Sequence, residues 1–66
     1  MFAEVSFPIS SYQTFSYKVP ERLAKKITVG IRVKVPLGSR KANGIVVGIN
    51  NSSSFKGKIR EIHDLI

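Results

Sequence analysis

Ile31-Arg32-Val33-Lys34-Val35, followed by Pro36-Leu37-Gly38-Ser39, is the stretch on which the fold turns. Three apolar residues alternate with two cations, the period-2 pattern of a strand with one face inward and its charges outward. Gly30 resets the chain before it, and Pro36 to Ser39 form a turn by composition. Beyond the turn, Arg40-Lys41 and Asn43-Gly44 lead into Ile45-Val46-Val47-Gly48-Ile49. That continuous β-branched run predicts a strand buried on both faces or bent across a barrel. Gly44 and Gly48 would allow a close approach or a bulge.

Working back toward the N-terminus, Ala3, Val5 and Phe7 alternate with Phe2, Glu4 and Ser6, a second strand, which Pro8 ends. Residues 9–13 read as a loop. Thr14 to Val19 alternates again, with Phe15, Tyr17 and Val19 on one face. Pro20 followed by Glu21 suits a first helical turn, and Leu23 and Ile27 lie four apart on one side of it. Toward the C-terminus, residues 50–54 form a polar loop. The segment from Ile59 to Ile66 fits a strand or a short helix, and a strand through Ile62 is the expectation. About five short strands with one helical turn define an all-β chain, a small antiparallel barrel or partly open sandwich.

Sixty-six residues make a single domain, 1–66, with 42% apolar content and a core too thin to hold a deep catalytic cleft. With no cysteine, disulfides and thiolate metal sites are excluded. No signal-peptide pattern opens the chain, and no apolar run reaches bilayer length, so a cytoplasmic location without membrane contact is expected. Ile62, Leu65 and Ile66 end it abruptly, as though it were the start of a longer protein. Eleven Lys and Arg against four acids give a net charge of +7. A field of that sign attracts polyanions, nucleic acid first among them.

Catalytic patterns fail quickly. His63 is the only histidine, and no second metal ligand stands at a fitting distance in sequence. No serine has a base spaced to activate it, and no glycine loop matches a phosphate cradle. The cations are more organised. Arg32 and Lys34 share a strand face, Arg40 and Lys41 follow the turn, and Lys56, Lys58 and Arg60 recur at period two. Such a face can track a phosphate backbone without reading sequence. It can also be the solvated outer face that strands use to discourage edge pairing. Phe15 and Tyr17 could stack bases or fill the core. The core is the expectation for Phe15, while Tyr17, whose hydroxyl needs a partner, suits either. Tyr12 is a further stacking candidate, and Phe2, Phe7 and Phe55 are assigned to packing.

Four segments in order carry a family resemblance: Val5-Ser6-Phe7-Pro8, Thr14-Phe15-Ser16-Tyr17-Lys18-Val19-Pro20-Glu21, Gly30 through Gly38, and Gly44 through Ile49. Together they resemble the N-terminal 3′-DNA-binding domain of the PriA family of primosomal replication-restart helicases. The resemblance implies an OB-like barrel that seats the 3′ end of a nascent DNA strand at a stalled fork. It implies no cofactor in this chain; ATP, magnesium and structural zinc would serve the rest of such a helicase, as would contacts with other primosome proteins. The positions matching the family's pocket are Phe15, Ser16, Tyr17, Gly38 and a cation of the last segment, Arg60 or alternatively Lys58. Arg40 and Lys41 join them as backbone contacts.

The family pattern carries aspartate where this chain has Ser16. A carboxylate accepts strongly from a terminal hydroxyl and repels a terminal phosphate, whereas a serine hydroxyl is neutral and binds more weakly. The expectation from that substitution is a blunter discrimination against a 3′-phosphate. Two rival readings remain at this point. An SH3-like or KOW-type RNA-binding barrel of a ribosomal or transcription factor would fit Gly30 to Ile49. A peptide-docking barrel would need exposed aromatics with acidic neighbours, and four acids support it poorly.

Overall fold

The computed structural model describes residues 1–7, 14–52 and 59–66. Five strands, β1 (Phe2–Ser6), β2 (Thr14–Lys18), β3 (Arg32–Leu37), β4 (Arg40–Asn50) and β5 (Asp64–Leu65), form one sheet in the order β2-β1-β4-β3-β5. All neighbours run antiparallel. The C-terminal segment touches both borders of this sheet. On one side Lys18 donates its amide to the Arg60 carbonyl (2.9 Å) and accepts from the Ile62 amide (3.0 Å). On the other, His63 donates to Lys34 (2.8 Å) and Ile66 to Arg32 (3.1 Å). Those bonds curl the sheet into a small OB-like barrel.

Period-2 alternation places the core as the sequence indicates. Ala3 and Val5 of β1, Val33 and Val35 of β3, and Val46 of β4 are fully buried, with Phe7, Tyr17, Val19 and Ile62 around them. Burying a side chain of this size contributes about 1.5–3 kcal/mol, so a short chain depends on each. The helical expectation reduces to a 3-10 turn at Glu21–Leu23, which drops Leu23 and Ile27 into one end of the barrel. The turn after β3 is tighter than Pro36 to Ser39. Pro36 and Leu37 belong to β3, and Leu37 faces Arg40 across Gly38 and Ser39. Gly38 has φ +62° and Ser39 no positive φ, the pattern of a type II′ hairpin turn with glycine first. Pro36 is tolerated because β5 pairs only with Val33 and Lys34, leaving β3 an edge strand at that point.

Two expectations change. β4 is not buried on both faces: Ile45, Val47 and Ile49 are 44%, 48% and 36% exposed, and Val46 alone of that run is sealed. The bend wins instead, through a bulge. Glu4 pairs with Gly48 and Val5 with Val46, so Val47 is an extra residue that lets β4 turn from β3 toward β1. Gly44 provides the close approach: a Cβ there would strike the Val5 side chain and lie 3.0 Å from the Ser6 carbonyl oxygen. The last segment is also not a strand through Ile62. It makes a single parallel bridge, Lys18 with Glu61, before β5. One residue pairs with β2, and the next few cross to β3. The expected loop at 9–13, together with Pro8, Tyr12, Phe55, Lys56 and Lys58, lies outside the described residues.

Candidate nucleic-acid interface

β2 divides its side chains between two environments. Tyr17 points inward, is 4% exposed, and donates its hydroxyl to the Pro36 carbonyl oxygen at 2.7 Å. Pro36 thereby becomes the partner that a buried phenol requires. Burial pushes the Tyr17 hydroxyl above its ordinary value of 10.0, and the nearby Arg60 charge offsets part of that rise. Arg60 donates from Nη1 to the Gly38 carbonyl oxygen at 2.6 Å. Its backbone carbonyl holds Lys18, so the same residue fixes β2 and the β3–β4 turn. A guanidinium has five donors, and one bond to Gly38 leaves others for a ligand. Arg40 and Lys41 follow the turn, both exposed at the start of β4.

Ser16 points the opposite way. Its hydroxyl donates to Glu4 Oε1 at 2.5 Å, and Thr14 donates to Glu4 Oε2 at 3.2 Å. Its backbone is placed differently again. In a strand, residues i and i+2 direct their amide and carbonyl to the same side. Lys18 uses that side to bond the closing segment, so Ser16 points its own peptide groups outward along the same edge. Among the described residues those groups have no partner. The outward peptide groups of Ser16 thus lie on the same border of β2 that Lys18 uses to bond Arg60, whose guanidinium reaches Gly38.

Phe15 departs from its expected place in the core, and Tyr17, which suited either place, takes it. Phe15 is 37% exposed and meets Phe7 edge-on, ring centroids 5.6 Å apart at 62°. Phe7 supports it from below while leaving ring surface uncovered. Tyr17 is the core residue, since its hydroxyl found a carbonyl inside. An open groove on the outer wall, lined by Arg32, Asn43, Gly44 and Ile45, is formed by a different pair of strands. His63 is exposed, and among the described residues no three histidine or acidic side chains gather to hold a metal.

Residues 4–66 match the family described as the 3′ DNA-binding domain (3′BD). The chain belongs to that family. A curated relative, the protein named Replication restart protein PriA of Bacillus subtilis (strain 168), is 39% identical over an alignment that covers 98% of this chain. The chain spans 9% of that relative's length. The match decides against the RNA-binding barrel and the peptide-docking barrel.

In this 3′ DNA-binding domain, Arg60 brings the sequence-derived residues Tyr17 and Gly38 together, and Ser16 follows on the same border of β2. Phe15 stands on the same strand with its ring partly open, and Lys58 lies outside the described residues. Sequence reasoning missed Glu4 and Pro36. Glu4 read as an ordinary outward residue of β1, and only the β1–β2 register, Glu4 opposite Ser16, brings its carboxylate to the site. Pro36 acts through its carbonyl, which no side-chain pattern reveals.

Proposed function

We propose that this domain captures the 3′ end of a DNA strand without reading its bases, and that it does so for a longer replication-restart protein acting at stalled forks. The observation that carries the reading is the position of Arg60, whose guanidinium holds the Gly38 carbonyl and whose backbone carbonyl ties down β2 next to the outward peptide groups of Ser16, on a chain of net charge +7. End capture requires the strand terminus to stop at this edge, where a continuous groove would accept any stretch of strand. Arg60, with Arg40 and Lys41, meets phosphate, an interaction indifferent to sequence. The open face of Phe15 offers a stacking surface worth about 1–3 kcal/mol per base, equally sequence-tolerant. Tyr17 serves as the wall behind them, and Gly38 keeps the turn free of a side chain where the sugar would approach. DNA with a free 3′ end is the ligand of this site. ATP, magnesium and zinc chemistry, and contacts with other primosome proteins, fall to the parts of the longer protein beyond this domain.

The test is a titration of labelled oligonucleotides ending in a 3′-hydroxyl, a 3′-dideoxy sugar or a hairpin that leaves no free end, at fixed ionic strength. The free hydroxyl end should bind tightest, and Arg60→Ala should weaken it more than it weakens the blocked DNA. Equal affinity for all three would leave a general polyanion binder and refute end capture.

A further inference from the structure

We propose that Glu4 is the specificity residue of this site: its carboxylate accepts a hydrogen bond from the terminal sugar hydroxyl and turns away an end that carries phosphate. The inference rests on the end-capture reading above and goes beyond it by naming the chemistry that sorts one end from another.

Glu4 is set apart by what holds it. Asp64 lies 3.8 Å from the Arg22 guanidinium, whereas Glu4, like Glu21 and Glu61, forms no ion pair with any described residue. Its two oxygens are instead held by neutral hydroxyls, Ser16 on one and Thr14 on the other. Two bonds leave lone pairs unused, because an ionised carboxylate offers about four acceptor sites. The hydroxyls also fix the rotamer from β2, so the acceptor is held in place before a ligand arrives. Its opposite neighbour on β4 is Gly48, which leaves that flank bare; even a Cβ there would lie 3.7 Å from the Glu4 Cβ, an ordinary contact.

On a surface meant for phosphate, a carboxylate left without a cation opposes the main attraction. It favours only a ligand group that donates. The terminal hydroxyl of a strand is such a donor, and a terminal phosphate, bearing about 1.5 to 2 negative charges, is its opposite. Ser16 lies between the two halves of the site, with its hydroxyl on Glu4 and its peptide groups on the border of β2 that bonds Arg60. The serine that replaces the family's aspartate is thus a link to a carboxylate one strand away. On this reading Glu4 supplies the discrimination against a 3′-phosphate that Ser16 alone would blunt.

Glu4→Gln keeps the shape and removes the charge. Affinities of the wild-type domain and this variant are to be compared for single strands of one sequence ending in 3′-hydroxyl, 3′-dideoxy or 3′-phosphate. The variant should bind the hydroxyl end more weakly and the phosphate end more tightly, reducing the hydroxyl-over-phosphate preference about tenfold. Tighter binding of the phosphate end is a gain that a damaged fold does not produce. An unchanged preference in Glu4→Gln, with wild type still favouring hydroxyl over dideoxy, overturns the role of Glu4 and leaves end capture standing. A wild type indifferent to all three ends overturns both. Should Glu4→Gln fail to fold, Gly48→Ala covers the bare flank without removing the carboxylate. It should lower the preference in the same direction, and no change there also refutes the assignment.

Discussion

Tyr17 and Ser16 are neighbours in the chain, yet one is sealed inside the barrel beside a cation while the other lies on the outer wall against a carboxylate. The inner side is built for rigidity: a buried ring, a hydroxyl bonded to Pro36, and Arg60 tying the β3–β4 turn to β2. The outer side is built from exchangeable surface bonds between hydroxyls and Glu4. A strand alternates its side chains by geometry, so a single edge can present positive charge from one face and negative charge from the other. A terminus that bridges the edge would meet both.

The largest expected difference between the two sides is in folding stability. Ile62→Ala removes a fully buried side chain from the segment that closes the barrel behind Arg60. It should cost about 2–5 kcal/mol. Val47→Ala, on the bulged outer wall, should cost under about 0.5 kcal/mol. Chemical denaturation of the two variants measures this, and equal losses would mean that the closing segment does not brace the inner side.

A smaller effect sharpens the contrast within β2 itself. Tyr17→Phe strands the Pro36 carbonyl and should lose about 1–3 kcal/mol, against about 0.5 kcal/mol or less for Ser16→Ala. The Tyr17 loss should depend on pH. The folded chain keeps the phenol protonated above 10.0, so the hydroxyl's stabilisation is complete below that pH. It fades as pH rises from 10.0 through the raised folded value, since only the unfolded chain then releases the proton. The deficit of Tyr17→Phe relative to wild type should therefore narrow in that alkaline window. A constant deficit would show that burial does not hold the proton.

The smallest effect is electrostatic. Arg60→Ala should reduce the slope of log affinity against log salt by about 1, the loss of one phosphate contact. Glu4→Gln should leave that slope unchanged, because a hydroxyl acceptor releases no counterion from DNA. A change in slope with Glu4→Gln would place phosphate against the outer side and merge the two environments.

The strands were legible wherever alternation was clean. Arg32 to Val35 and Ala3 to Phe7 sort inside from outside with no help from neighbours, because a strand's period is fixed by its backbone. The run Ile45-Val46-Val47 misled for the same reason: continuous apolar residues do not say which are covered, and the bulge at Val47 decided it. Phe15 and Tyr17 share a face and differ in burial because one reaches the rim and the other a carbonyl. Register and bulge position are long-range quantities, set by pairing between distant segments.

Charge, the absence of cysteine and the ordered segments from Val5 to Ile49 determined, by themselves, a basic all-β domain of the 3′ DNA-binding kind. Tertiary structure alone decided that Arg60 would hold Gly38, that Pro36 would satisfy Tyr17, and that Glu4 would stand against Ser16. Composition and periodicity are local properties, written residue by residue. A binding site is made of groups that become neighbours only after the sheet has closed.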